Sequence, residues 1–168
     1  MKKINLACGH PLPDFKNWIN IDYKKSLLNE YKGWQFVVHD ITKPLRFKEA
    51  TIDVVFCEHM MEHFDMNEAT RISKDINRIL KLKGLFRIVV PDAILRKNEP
   101  PENGSEHNHK TAWTYHSLEW MLKNAGFEVK LVKYWNENGD LIEQTQRMSP
   151  IFGKIRRPNS LIVDGVKT

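Results

Sequence analysis

The chain has 168 residues, 41% hydrophobic and 28% charged, with 26 basic residues against 21 acidic and a net charge of +5. No apolar run approaches the roughly 20 residues that a membrane-crossing helix needs, and two cysteines, Cys8 and Cys57, cannot frame a disulfide scaffold. These numbers predict one domain over residues 1–168 in a reduced, cytoplasmic setting, with no membrane partner.

Met1-Lys2-Lys3 before an apolar stretch has the look of a secretion leader, but Asn5 interrupts the stretch and Gly9-His10-Pro11 ends it. Residues 3–8 read instead as a short strand closing at Gly9. Residues 18–21 form a second strand ending at Asp22, and residues 34–38 a third ending at His39-Asp40. Residues 51–56 form a fourth, running into Cys57-Glu58. These runs are rich in Val, Ile and Phe, as strands buried on both faces are. A helix follows: Asp65 and Glu68 make a capping pair, and Ala69, Ile72, Ile76, Ile79 and Leu80 recur at helical spacing. Lys81 and Lys83 complement the helix dipole and Gly84 is the expected stop.

Residues 85–90 give a fifth strand ending at Pro91-Asp92. The polar stretch that follows, with Pro100, Pro101 and Gly104, reads as a lid loop over 96–109. A second helix over 116–125 buries Leu118, Met121, Leu122 and Ala125 and closes at Gly126. Residues 127–134 give a sixth strand, and residues 160–163 a seventh, expected at an edge. The C-terminal segment is basic: Arg147, Lys154, Arg156, Arg157 and Lys167 face a single acid, Asp164. It could meet an anionic partner, although solvated side chains are the plainer reading. Alternating strands and helices predict an open, mostly parallel α/β sheet of about seven strands, with ligands at the carboxyl ends of the strands. Gly9, Asp22, Asp40, Glu58, His59 and Asp92 gather there.

Several linked stretches resemble the class I S-adenosylmethionine-dependent methyltransferases. Asn5-Leu6-Ala7-Cys8-Gly9 resembles the family's first motif, Trp18-Ile19-Asn20-Ile21-Asp22 its second-strand acid, and His39-Asp40-Ile41 its adenine-side motif. The run from Ile52 through Glu58-His59-Met60-Met61-Glu62-His63 is similar to the D-V-V…H-x-x-E-H segment of small members. Arg78-Ile79-Leu80-Lys81-Leu82-Lys83-Gly84 and Leu118 to Phe127 resemble later motifs. The resemblance covers about residues 3–135 and implies a Rossmann-like, doubly wound sheet. It also implies S-adenosylmethionine as cofactor, held by Ala7, Cys8, Gly9, Asp22, Asp40, Ile41, Cys57 and Glu58. Asp22 would take the ribose hydroxyls, Asp40 the adenine amino group, and the surroundings of Cys57 and Glu58 the methionine ammonium. The sequence departs from the pattern in its lone Gly9, and in the eight residues, 10–17, that replace the first helix with at most a turn.

The implied reaction is methyl transfer to a small polar acceptor. Small relatives are often tied to glycan pathways, which makes a sugar hydroxyl the leading expectation. A base suited to neutral pH would be His59, His63 or His109, with Asp92 a fourth catalytic candidate. A binding module of the same fold, holding a nucleotide, a nucleic acid or a protein without catalysis, is the alternative from a different class. A nucleic acid partner is not favoured, and oligomerisation is left open. His59-Met60-Met61-Glu62-His63 also matches the zinc motif H-x-x-E-H, which admits a hydrolase. No metal is expected, because on an α-helix Glu62 would face away from a converging His59 and His63, and a third ligand is not evident.

Overall fold

The structure, a computed structural model, describes residues 1–7, 9–95, 109–144 and 159–168. Cys8, residues 96–108 of the expected lid, and the basic positions Arg147, Lys154, Arg156 and Arg157 lie outside the described residues.

Among the described residues, eight strands form one sheet: β1 (Lys3–Leu6), β2 (Ile19–Asp22), β3 (Phe36–Val38), β4 (Ile52–Glu58), β5 (Leu80–Pro91), β6 (Phe127–Trp135), β7 (Leu141–Glu143) and β8 (Ser160–Lys167). Their order is β3-β2-β1-β4-β5-β8-β6-β7. The first five in space run parallel, while β8 is antiparallel to both β5 and β6, and β7 is antiparallel to β6. The Rossmann-like arrangement is therefore as expected, with eight strands in place of about seven. The chain leaves β1 toward β2 on one side and returns to β4 on the other, so the strand order reverses beside β1, where open sheets bind ligands.

Two placements differ from the sequence reading. The strand that begins at Ser160 is interior, not an edge: Leu161, Ile162 and Val163 are all buried, and a continuous apolar run is what a strand covered on both faces requires. β7, which the sequence reading missed, is a three-residue edge strand, exposed throughout, that follows a turn at Gly139 (φ 83°).

Among the described residues, three helices connect the strands: α1 (Leu27–Glu30), α2 (Met66–Ile79) and α3 (Tyr115–Asn124). At the start of α2 the Asp65 carboxylate accepts the Glu68 N–H at 2.8 Å and the Glu68 carboxylate accepts the Asp65 N–H at 3.0 Å. This is the capping box the sequence announced. The helix ends at Ile79, not at Gly84. Leu80 pairs with Ile52 and Leu85 with Val54, so residues 81–84 bulge out of β5. The left-handed residue there is Lys83 (φ 62°). Gly84 is needed for a different reason, since a Cβ would meet the Lys81 carbonyl oxygen at 2.7 Å. Lys81 pairs with Asp53 at 2.8 Å instead of facing a helix end.

The buried faces of α2 (Ala69, Ile72, Ile76, Ile79) and α3 (Leu118, Met121, Leu122) share one core with Val55, Cys57, Phe86, Ile88, Val90, Leu161 and Val163 of the strands. The opposite face of the sheet has a thinner cover. Between β1 and β2 stands only a 3-10 turn, Pro13–Phe15, and Phe15 and Trp18 pack on Val54, Phe56, Val89 and Ile162. Asn20, fully buried, holds that turn down: its Nδ2 donates to the Phe15 and Trp18 carbonyls at 3.0 and 3.1 Å, and its Oδ1 accepts from Asn5 Nδ2 at 3.0 Å. The expected loss of the first helix is thus compensated by one buried amide. On the same face Arg87 and Asp164, paired across β5 and β8, form a bidentate ion pair at 2.7 and 2.8 Å. No helix among the described residues is long and apolar enough to cross a membrane.

Candidate active site

The carboxyl ends of β1, β2 and β4 open onto a cavity of about 750 Å³. Ala7, Gly9, Asp22, Asp40, Ile41, His59 and His63 all line it, so seven of the candidates named from the sequence converge there. Its wall also takes in Tyr23, Lys24, His39 and Thr42, which were not named as site residues; each lies within two positions of Asp22 or Asp40.

Backbone geometry marks this place. Ala7 ends β1 at φ 50° and His59 ends the adjacent, parallel β4 at φ 51°. For residues with a Cβ the left-handed region costs roughly 1–2 kcal/mol, and such strain concentrates at functional sites. Gly9 is left-handed as well (φ 49°), and a Cβ on it would point into open space. The main chain is therefore bare where a ligand would lie against it.

Asp22 is buried, and its two oxygens organise the loops on either side. Oδ2 accepts the Gly9 N–H at 2.9 Å and Oδ1 the Lys24 N–H at 3.0 Å. Each carboxylate oxygen keeps a lone pair for a further donor. Asp40 is exposed, and its Oδ1 accepts both the Thr42 hydroxyl at 2.7 Å and the Thr42 N–H at 2.9 Å. Those bonds, the hydroxyl first, hold its carboxyl below the usual range, so it is a fixed anion on the cavity wall.

Four candidates do not present a side chain to this cavity. Cys57 is fully buried in the core and burial pushes its thiol well up, so only its main chain could reach a ligand. Glu58 is half-buried beside it and does not line the cavity. Asp92 is fully buried, with Oδ1 accepting the Ile94 N–H at 2.9 Å and Oδ2 the Trp135 N–H at 3.1 Å. It ties the end of β5 to the end of β6, and a carboxylate so occupied is a structural brace. His109 borders a second cavity of about 470 Å³ together with Glu62, Lys110, Thr111 and Trp113. The Trp113 indole N–H, buried, has no acceptor among the described residues.

The histidines differ in their freedom. His59 is held at one ring nitrogen, with Nε2 3.0 Å from Ser160 Oγ, while its buried Nδ1 lies 3.2 Å from Glu62 Oε1 without a hydrogen bond among the described residues. His63 and His109 pack edge to face with ring centroids 5.1 Å apart. A strap of bonds brings them together. The Glu62 carbonyl accepts the Lys110 N–H at 2.8 Å and the Thr111 N–H at 3.2 Å. The Thr111 hydroxyl donates to the Phe64 carbonyl at 2.7 Å, and Lys110 Nζ reaches Glu68 at 3.0 Å.

The family described as "Methyltransferase domain" matches residues 7–88, the part of the chain that carries Gly9, Asp22, Asp40 and His59. Residues 7–88 are thus similar to the methyltransferase family, in the half of the chain that builds the cavity. Solved structures of that description share its fold over nearly its whole length. One is a methyltransferase from Archaeoglobus fulgidus (17% identity, TM-score 0.69), with 99% of this chain and 86% of that one covered. Another comes from Mesorhizobium loti (12% identity, TM-score 0.69, 99% and 90% covered). A third is a chain in the Haloferax volcanii complex of the Trm112 methyltransferase activator with a methyltransferase (18% identity, TM-score 0.68, 98% and 81% covered). No curated protein sequence matches the chain. The match over residues 7–88 and the shared fold agree with what the motifs implied.

Proposed function

We propose that the chain transfers the methyl group of S-adenosylmethionine to a small polar acceptor, with a sugar hydroxyl the first class to test. The observation that carries this reading is the cavity of about 750 Å³ that gathers Gly9, Asp22, Asp40 and His63 at the strand ends. In this reading Asp22 accepts the ribose hydroxyls, Asp40 and Ile41 meet the adenine, and the bare main chain at Ala7 and Gly9 lies along the methionine part. The main chain at Cys57 and Glu58 stays within reach of the ammonium.

The sulfonium already makes the methyl carbon electrophilic, so the protein's share is position and proton handling. The acceptor oxygen forms its bond to carbon as the carbon–sulfur bond breaks, and the acceptor proton must leave. His63, on the cofactor cavity, and His109, on the smaller one, stand where an imidazole would take it. His59 is tied through Nε2 to Ser160, which leaves it less free for that task.

The test is calorimetric titration with S-adenosylmethionine, followed by transfer of labelled methyl to a panel of sugars, amines and carboxylates. Saturable binding with transfer to a hydroxyl supports the reading in full. Binding without transfer to any acceptor class returns the chain to the role of a binding module.

A further inference from the structure

The H-x-x-E-H segment does not behave as an α-helical zinc motif. Met61–His63 is a 3-10 turn, which projects Glu62 and His63 differently from an α-helix. Contrary to the expectation from sequence, Glu62 does not face away from a converging set, and the third group comes from His109, 46 positions further on. One ligand atom from each of Glu62, His63 and His109 lies within 4.8 Å of the others. Glu62 is 2% exposed, and neither of its carboxylate oxygens accepts a hydrogen bond among the described residues. His59 Nδ1 lies 3.2 Å from Oε1 but off the hydrogen-bond line. A buried carboxylate left so is costly, and buried polar groups are otherwise satisfied.

We propose that Glu62, His63 and His109 bind one divalent transition-metal cation, of which Zn²⁺ is the natural representative. Two imidazoles and one carboxylate are a catalytic zinc donor set with a fourth position open, and imidazole suits zinc, copper and nickel better than magnesium or calcium. Bonds of about 2.0–2.1 Å need donors roughly 3.3 Å apart, so the site closes by modest rotation of two half-buried imidazoles. The strap from Lys110 and Thr111 to the Glu62 carbonyl already fixes the two segments together. His59, with Nδ1 3.2 Å from Glu62 Oε1, stands where an outer partner of a metal ligand stands. Glu62 and His109 border the cavity of about 470 Å³, which places the open position toward it. With an ion bound, a coordinated hydroxyl would lose its proton more readily, and the ion would take over the proton-handling task given above to the two imidazoles. That last step rests on the methyl-transfer reading; the site itself does not.

The test uses the full chain without a histidine tag and without cofactor or acceptor. Co²⁺ is titrated by its visible absorption, and Zn²⁺ by competition with a chelating dye. One ion per chain is expected, with the bands of a four-coordinate nitrogen–oxygen site. Glu62→Gln and His109→Ala should each weaken binding by at least 10–100-fold, the loss typical of even an outer partner. His116→Ala, in the surface pair with Glu137, should leave it unchanged. Zn²⁺ should raise the melting temperature of the wild type and not of His109→Ala, which keeps the test open if Glu62→Gln folds poorly. No saturable binding overturns the proposal. So does binding that survives both Glu62→Gln and His109→Ala, or that is lost in His116→Ala. Methyl transfer is assayed separately, so failure of one reading leaves the other standing.

Discussion

Ser160 Oγ lies 3.0 Å from His59 Nε2, joining the first residue of β8 to the strained end of β4 across 101 positions of sequence. Ser160 is buried and His59 nearly so, and the bond fixes the ring whose other nitrogen faces Glu62. Ser160→Ala should therefore cost about 1 kcal/mol of stability, the usual worth of one such bond. Urea unfolding should show this, along with a changed imidazole tautomer signature in nitrogen NMR. An unaltered His59 spectrum would mean that Glu62 alone sets the ring.

Asp22→Ala should weaken S-adenosylmethionine binding by about 1–3 kcal/mol, the range for hydrogen bonds to a charged group. Because Asp22 also receives the Gly9 and Lys24 N–H groups, the loops that frame the cavity lose an anchor as well. Asp22→Asn keeps one acceptor oxygen and should fall between the two. Calorimetry with circular dichroism on each variant separates loss of ligand contacts from loss of fold. Equal affinity in all three proteins would remove Asp22 from the site.

Arg87 and Asp164 are 2% and 7% exposed. Removing one partner leaves a charge in the core, and Asp164→Ala should destabilise the chain by about 3–5 kcal/mol. Replacing both with apolar residues of similar volume should restore most of that. Chemical denaturation of the single and double variants reads the difference, and a double variant no better than the single would show that the pair itself supplies the stability.

Tyr115 donates to Glu137 at 2.6 Å, and His116 Nε2 lies 2.7 Å from the same oxygen. The Tyr115 bond leads in drawing the Glu137 carboxyl from 4.5 down to about 2. The Glu137 bond leads in pushing the Tyr115 phenol from 10.0 up to about 12. Glu137 has a lowered folded value, so its contribution is complete above pH 4.5 and fades as pH falls toward 2. Tyr115 has a raised folded value, so its contribution is complete below pH 10 and fades as pH rises toward 12. Ultraviolet titration should find one late-ionising tyrosine, which Glu137→Gln moves back toward 10.

Much of this arrangement was legible in the residues. The first three strands to within two residues, the Asp65–Glu68 box and the missing first helix were legible, because each depends on near neighbours in sequence. Gly84 misled, because a glycine needed for close packing has the same letter as one needed for a left-handed turn. β7 was missed since its side chains are exposed and carry no burial pattern, although Asn138-Gly139 before it is a hairpin signal. The interior place of β8 depends on which strands it meets, and periodicity reports burial without neighbours. The meeting of Glu62 and His63 with His109 had no local signal, because the strap through Lys110 and Thr111 that produces it is visible only once the chain has folded.

The position of β8 has a consequence for assembly on the ribosome. β6 has no partner on its inner side until β8 slides in between it and β5. The five parallel strands and α2 can condense as they emerge, but α3, β6 and β7 must wait for a segment translated after all of them. In the interval the Val89–Val132–Ile162 side of the sheet is incomplete and its apolar surface is open to solvent. Nascent chains halted before residue 160 should thus be the form that chaperones hold, and release of β8 the event that commits the domain to its final shape.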